Sequence, residues 1–519
     1  MYGSIPSSAD DGSKSMKRAD SKGDGTSHWP KWDLSKNLQM VIACLIAFLA
    51  GSFLNIFGST PLQTSSCNGS YAADHQVLES TSSLAVSARG HSIKAVRDDL
   101  PIFLEGASDA YHPETNPEGY LVMLVAENKM MWKEMASKLE AEQAANRLPE
   151  WIFGYGDMGG EANFKAAMGS MMSRWIDAPI DPQYLRFQAG AGSVLDQISI
   201  VLTDENDGVL ITAPGYLPLE ADMGLYGRTK THLAHTHASN GYVPTVNQLE
   251  DCFQRSVEAG NPPKILVLIQ PNNPTGAVYP HDAMVEIIQW ALSKGLHVVS
   301  DEIYALSTFP GVQVTSAADV VWELSSSSSS TNNKTVSKKQ DDRYLGDYVH
   351  IVAGLSKDWG MSGFRVGSLL SHNLELLQAL DDIGYYQSVS MYTQHALTNV
   401  FRDEEWVDWY IGENQKRLRE RYQALERTLE KVNVPLFPAQ GSIFAWANFS
   451  SFILEGQTEK DLWLELFHDA KIALTTGYSC GTSEPGMFRI VYTWPEGHQE
   501  PMEEFENRLV QWSSNRQRN

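Results

Sequence analysis

From Trp151 onward the chain alternates short, continuous apolar runs with longer amphipathic stretches. VLITAP (209–214), KILVLIQP (264–271), LHVVSDEIY (296–304) and YVHIVAGLS (348–356) are rich in β-branched residues and do not alternate polar with apolar positions. Runs of that kind predict strands covered on both faces. Between them lie helical patterns such as HDAMVEIIQWALSKG (281–295). The order strand, helix, strand predicts an α/β fold: a three-layer αβα large domain around a mainly parallel sheet, with ligands gathering beyond the carboxyl ends of its strands. After Asn414, QKRLRERYQALERTLEKVNV predicts a long charged helix, and GSIFAWANFS and MFRIVYTWP predict strands of a smaller α+β domain.

A different pattern occupies the first part of the chain. Leu38 to Gly58 (LQMVIACLIAFLAGSFLNIFG) carries no charge, is apolar all round, and is long enough to cross a bilayer as a single uncleaved helix, the alternatives being a buried core helix and a cleaved signal peptide. Met1 to Asn37 is rich in Ser, Gly, Asp and Lys and reads as a disordered tail. Ser59 to about Ser92 reads as a tether. Lys31 and Lys36 flank the apolar run and no Lys or Arg follows until Arg89, which predicts a cytoplasmic N-terminus and a lumenal or extracytoplasmic body. Asn68, Asn333 and Asn448 begin NxS/T triplets, which suit that side without deciding it. The expected division is a tail (1–37), an anchor (38–58), a tether (59–92), the N-terminal part of the small domain (93–150), a large domain (151–400) and a C-terminal small domain (401–519). SSSSSSTNNKTVSKKQDDR (325–343) is too polar to bury and reads as a solvated loop in the large domain.

At 519 residues the chain exceeds one ordinary core, and 42% hydrophobic with 10% aromatic residues describes a globular body. A net charge of −23, from 40 basic and 63 acidic residues, argues against a nucleic-acid surface. Four scattered cysteines, Cys44, Cys67, Cys252 and Cys480, make neither a disulfide framework nor a metal site.

Chemistry enters through Lys357 in GLSKDWGMSGFRVG, a lysine beside a glycine-rich turn with Arg365 eight residues on. A primary amine can form an imine with pyridoxal phosphate, and a guanidinium can fork onto its phosphate. Alone, such a lysine is more often a surface residue. Other segments join it in order. In QAGAGSVLDQ, small residues open a helix whose N–H groups suit a phosphate. Tyr216 in APGYLPLE stands where a ring could stack on a cofactor or fill a core. QPNNPTG sets Asn273 at a strand end, where its amide can donate to a phenolate oxygen. Asp301 in SDEIY ends an apolar strand, where it either caps a helix or meets a cation such as a pyridinium nitrogen. Arg489 in SEPGMFRIVY enters a strand between apolar residues and demands an anion, whether a substrate carboxylate or a structural acid.

With these motifs the chain resembles the pyridoxal-phosphate-dependent class I/II aminotransferases of fold type I, over roughly residues 95 to 512. LVAENKM (124–130), YTQHAL (392–397) and EPGMFRIVY (484–492) resemble the aminocyclopropane-carboxylate synthase branch. The resemblance implies that Lys357 bears the cofactor, Asp301 pairs with its ring nitrogen, Asn273 and Tyr304 contact its ring oxygen, and Tyr216 stacks on the ring. Ala191, Gly192, Ser193 and Arg365 would hold the phosphate, and Tyr155 would reach the phosphate of a neighbouring subunit, implying a homodimer. Arg489, Asn273 and Glu127 would bind the substrate. Two departures stand out: Gly354 occupies the place of a phosphate-binding serine, and Met158, Gly159 and Gly160 stand where synthases carry Tyr-His-Gly.

The implied activity is transfer of an amino group from an amino acid to a 2-oxo acid, with Lys357 moving the Cα proton and Asp301 keeping the ring protonated. The alternatives are a synthase that expels a thioether from adenosylmethionine and closes a cyclopropane, and a membrane-tethered protein that keeps the fold without catalysis.

Overall fold

The computed structural model describes residues 99–328, 343–494 and 500–516, together with Ser87 and Gly90. The expected tail and anchor lie outside these residues, as does the tether apart from those two positions. Among the described residues no helix is long and apolar enough to cross a membrane.

Strand β1 (Leu121–Val122) precedes the central sheet, which is built from β2 (Leu185–Gln188), β3 (Gly208–Ala213), β4 (Lys230–His235), β5 (Pro263–Ile269), β6 (His297–Asp301), β7 (Val349–Gly354) and β8 (Gly367–Ser371). Its order is β2-β8-β7-β6-β5-β3-β4. The β7-β6, β6-β5, β5-β3 and β3-β4 pairs are parallel, while β8 runs antiparallel to both neighbours. The four apolar runs are thus β3, β5, β6 and β7, and β3 and β7 are buried at every position. Helices Ala191–Leu202, Val246–Glu258 and His281–Ser293 link or flank these strands.

A second, antiparallel sheet contains β9 (Phe444–Asn448), β11 (Thr475–Thr476) and β12 (Met487–Val491), in the order β11-β12-β9. Strand β10 (Ile472–Ala473) pairs in parallel with β1, bringing Leu121 opposite Ile472. The long charged helix begins earlier than its sequence pattern suggests and spans Glu404–Lys431, capped by Asp403, whose carboxylate accepts the Trp406 N–H at 3.1 Å.

One boundary differs from expectation. The helix Ala317–Ser328 runs into the first four residues of the stretch read as a loop, and residues 329–342 lie outside the described part. Ser325 and Ser326 both donate their hydroxyls to the carbonyl of Trp322 at 2.8 Å, so the first serines satisfy themselves on the preceding turn and need no solvent.

Candidate active site

The carboxyl ends of β3, β5, β6 and β7 carry the motif residues into one region. Lys357 follows β7 on a turn closed by the Gly360 N–H on the Lys357 carbonyl at 3.2 Å. Its Nζ donates to the carbonyl of Ala126 at 2.7 Å. Burial of the amine, with the Arg489 charge adding to it, pushes its pKa down to about 8, so a neutral, nucleophilic amine is accessible near physiological pH.

Asp301, the last residue of β6, is buried, and among the described residues its carboxylate accepts one hydrogen bond, from the Ile303 N–H at 3.2 Å. Burial pushes it up to about 7, against the pull of that N–H. Among the described residues a carboxylate so placed has no cation at hydrogen-bond distance. Tyr304 is also buried, its ring edge-on to Phe444 at 5.2 Å, and burial raises its phenol. Tyr216, part-buried just beyond β3, lies near enough that its ionisation would raise the Tyr304 phenol further.

Arg489 in β12 donates through Nη1 to Oδ1 of Asn273 at 3.0 Å and through Nη2 to the Leu124 carbonyl at 2.9 Å and to Thr475 Oγ1 at 3.2 Å. Its Nε is buried with no partner, and no carboxylate among the described residues pairs with it. The structural acid that sequence alone left open is absent there. Asn273 turns its oxygen to Arg489, and its NH2 group finds no acceptor among the described residues. Glu127 lies nearby, accepting from Ser362 Oγ at 3.1 Å and pairing with Lys129 at 3.2 Å.

The segment read as a phosphate site opens a helix. Helix Ala191–Leu202 starts after Gly190, at φ +97°, with no side chain capping its first N–H groups. Arg365 lies across this start, its Nη2 donating to the Ala189 carbonyl at 3.3 Å and its Nη1 to the Ser362 carbonyl at 3.0 Å. It pairs with no carboxylate among the described residues. A Cβ at position 190 would stand 2.3 Å from that Nη2 and push the guanidinium aside, and the positive φ there itself favours glycine. Ser193 donates its hydroxyl to the Ala189 carbonyl at 3.1 Å.

Gly354 has a steric reason of its own. A Cβ there would lie 2.9 Å from the Val366 carbonyl oxygen, so β7 and β8 are too close for the serine that many relatives carry. In the other departure, Asp157 accepts the Gly159 N–H at 2.9 Å and pairs with the buried Lys165 at 3.1 Å. Tyr155 is not brought into this site. It is 88% exposed, its nearest ring being Tyr385 at 6.3 Å.

A family model described as aminotransferase class I and II matches residues 122–509. The chain belongs to that family. Among its relatives, 1-aminocyclopropane-1-carboxylate synthase 6 of Oryza sativa subsp. japonica is 28% identical over 439 residues, covering 80% of this chain and 77% of that protein. The probable inactive 1-aminocyclopropane-1-carboxylate synthase-like protein 2 of Mus musculus is 30% identical over 396 residues, covering 74% of this chain and 65% of that protein. A solved structure of a Thermus thermophilus aspartate aminotransferase double mutant has a TM-score of 0.66 at 17% identity, over 83% of this chain and all of the other, and shows the shared fold.

Class I and II aminotransferases depend on pyridoxal phosphate, and the residues here fit it. The buried Asp301 carboxyl, with one hydrogen bond among the described residues, suits a ring N–H, the uncapped helix start with Arg365 suits a phosphate, and the Lys357 amine suits an aldehyde. Three elements had escaped sequence reasoning. The Ala126 carbonyl that receives Lys357 is a backbone group with no residue signature. Glu302, fully buried, accepts from Ser300 and Ser316 hydroxyls, the Trp175 indole and the Ala317 N–H, and so ties helix Ala317–Ser328 to β6; an acid inside an apolar run was the available signal. Asp358, beside the lysine, is the third.

Proposed function

We propose that this protein transfers the amino group of an amino acid to a 2-oxo acid. The observation that carries the reading is Arg489, a buried guanidinium with an unpartnered Nε and no carboxylate among the described residues, set in the same compartment as Lys357. Pyridoxal phosphate, when bound, supplies an aldehyde that condenses with amines and a ring that, while protonated, draws electrons from the substrate Cα. The chain supplies the rest. Arg489 grips the α-carboxylate, and Asn273 is held against it. Asp301 keeps a proton on the ring nitrogen. Lys357, with its amine tuned towards neutrality, takes the Cα proton and returns it at a neighbouring carbon. Glu127, next to the Ala126 carbonyl that receives Lys357, is the further substrate contact in this reading.

A second reading follows from the relatives named 1-aminocyclopropane-1-carboxylate synthases: elimination from adenosylmethionine. Met158, Gly159 and Gly160 speak against it, since synthases carry Tyr-His-Gly there. The purified protein, loaded with pyridoxal phosphate, is to be assayed with a panel of amino acids plus 2-oxo acids and, separately, with adenosylmethionine. Keto-acid formation supports transamination, ring formation supports the synthase, and neither, with no borohydride-trapped adduct at Lys357, refutes both.

We propose two settings for this activity. The active unit is a homodimer, supported by the exposure of Tyr155, which in similar enzymes reaches the neighbouring phosphate. The enzyme is tethered to a membrane by residues 38–58, supported by the length and uncharged character of that run. Sedimentation of the full chain and alkaline carbonate extraction test these in turn.

A further inference from the structure

Asp358 follows Lys357 directly, and its buried carboxylate reaches across to another turn. One oxygen accepts the Leu306 N–H at 3.0 Å and the other accepts the Ser307 hydroxyl at 2.6 Å. Leu306 and Ser307 close the turn that starts at Tyr304, whose carbonyl accepts the Ser307 N–H at 2.9 Å. The far side of that turn is fixed too, because the Ser442 N–H donates to the Ser307 carbonyl at 2.6 Å. Beyond Asp358, the Trp359 indole is buried, stacked on Tyr410 at 4.7 Å and edge-on to Phe401 at 4.7 Å. The backbone just after Lys357 is therefore pinned twice, once by a carboxylate and once by an aromatic stack.

We propose that Asp358 is a positioning residue: it locks the Tyr304 turn to the Lys357 turn, so that the lysine amine moves between partners by side-chain rotation alone while Tyr304 stays in place. The inference rests on Lys357 being the cofactor-bearing lysine. It also has an electrostatic side. Burial pushes the Asp358 carboxyl up to about 7, opposed by the Ser307 and Leu306 bonds and reinforced by Asp301. The titratable groups that sense it are Asp301 at the end of β6, Tyr304 in the clamped turn and Tyr410 on the long helix, with Lys357 adjacent in the chain. A carboxylate one residue from Lys357 favours the protonated form of whatever nitrogen the lysine carries.

The test uses the cofactor-loaded full chain and the variants Asp358→Asn, Asp358→Ala and Ser307→Ala. Asparagine can still accept the Leu306 N–H and donate to Ser307, so it keeps the clamp and removes the charge. Alanine removes both. Expected for Asp358→Ala is a kcat lowered about 10- to 100-fold with KM changed less than about 3-fold, as for loss of support to a site rather than of a substrate contact. Asp358→Asn should recover most of that kcat, while the pH midpoint of the lysine-linked cofactor absorbance falls by about half a unit. Ser307→Ala, which deletes one donor, should lower kcat about 3-fold and serves where Asp358→Ala does not fold. Wild-type kcat in Ser307→Ala, or an unmoved midpoint with wild-type kcat in Asp358→Asn and Asp358→Ala alike, overturns the proposal. Borohydride trapping of the wild-type chain is run alongside: no adduct at Lys357 refutes the cofactor reading, whereas an adduct with wild-type behaviour in the variants refutes the positioning role alone.

Discussion

Arg489 Nη1 donates to Oδ1 of Asn273 at 3.0 Å, joining the antiparallel sheet to the loop beyond β5. The cation assigned to the substrate and the amide assigned to the cofactor are thus one hydrogen-bonded unit. Asn273→Asp would place a carboxylate on that guanidinium and give it an internal counter-ion. KM for the amino acid should rise roughly 30-fold, about 2 kcal/mol of lost charge-assisted binding, while borohydride still traps Lys357. An unchanged KM in steady-state kinetics would sink the coupling.

Lys357 offers a direct pH test in the cofactor-free chain. Its pKa is pushed down to about 8 by burial and by Arg489, and is held up by Glu127 and Asp301. The rate of its acylation, followed by peptide mass spectrometry, should rise with a midpoint near pH 8 instead of the ordinary lysine value. Asp301→Asn should move that midpoint lower and Arg489→Gln higher. A midpoint near that of surface lysines in the same digest would contradict the burial argument.

Asp301 carries a stability signature of opposite sense. Its folded pKa of about 7 lies above the unfolded carboxylate value, so between roughly pH 4 and pH 7 the native chain keeps a proton that the unfolded chain has lost. Stability from this group is present below that window and is lost as pH rises through it. Asparagine has no such dependence. In the absence of cofactor, Asp301→Asn should melt within a degree of wild type near pH 4 and about 2–4 °C above it near pH 8. A Tm gap independent of pH would remove the argument. Glu302 and Asp358, raised in the same direction, remain in both proteins, and loss of the Asp301 charge relieves Asp358, which adds to the gain of Asp301→Asn at high pH.

Gly354→Ser restores a residue common in relatives, yet it should harm this protein. The added Cβ meets the Val366 carbonyl at 2.9 Å, and separating β7 from β8 costs on the order of 1–3 kcal/mol. Thermal melting should fall by a few degrees, with no gain in affinity for pyridoxal phosphate in a fluorescence titration. Tighter cofactor binding at full stability would show that the two strands yield.

The strands with continuous β-branched runs, β3, β5, β6 and β7, could be read directly because burial on both faces writes itself into composition. Strand β8 could not: GSLLS is short, begins with glycine, and owes its place to the close approach at Gly354 and Gly367, which is a property of two segments together. In the site, charged residues at strand ends were legible, since Lys357, Asp301 and Arg489 are each costly to bury without a purpose. What they touch was not, because the Ala126 and Leu124 carbonyls that receive Lys357 and Arg489 are backbone atoms shared by every sequence. Asp358 was visible as a letter beside the lysine, but its partners lie some fifty residues earlier in the chain.

The β1–β10 pairing has a bearing on how the protein is made. The segment that supplies the Ala126 carbonyl is fastened by the Lys471 and Ala473 carbonyls, by the Val491 N–H and by Thr493. A nascent chain therefore lacks the fasteners for its own lysine cover until residues 471–493 have been synthesised. Until then none of these four contacts holds the cover over the amine, so its closure waits on β10 and β12.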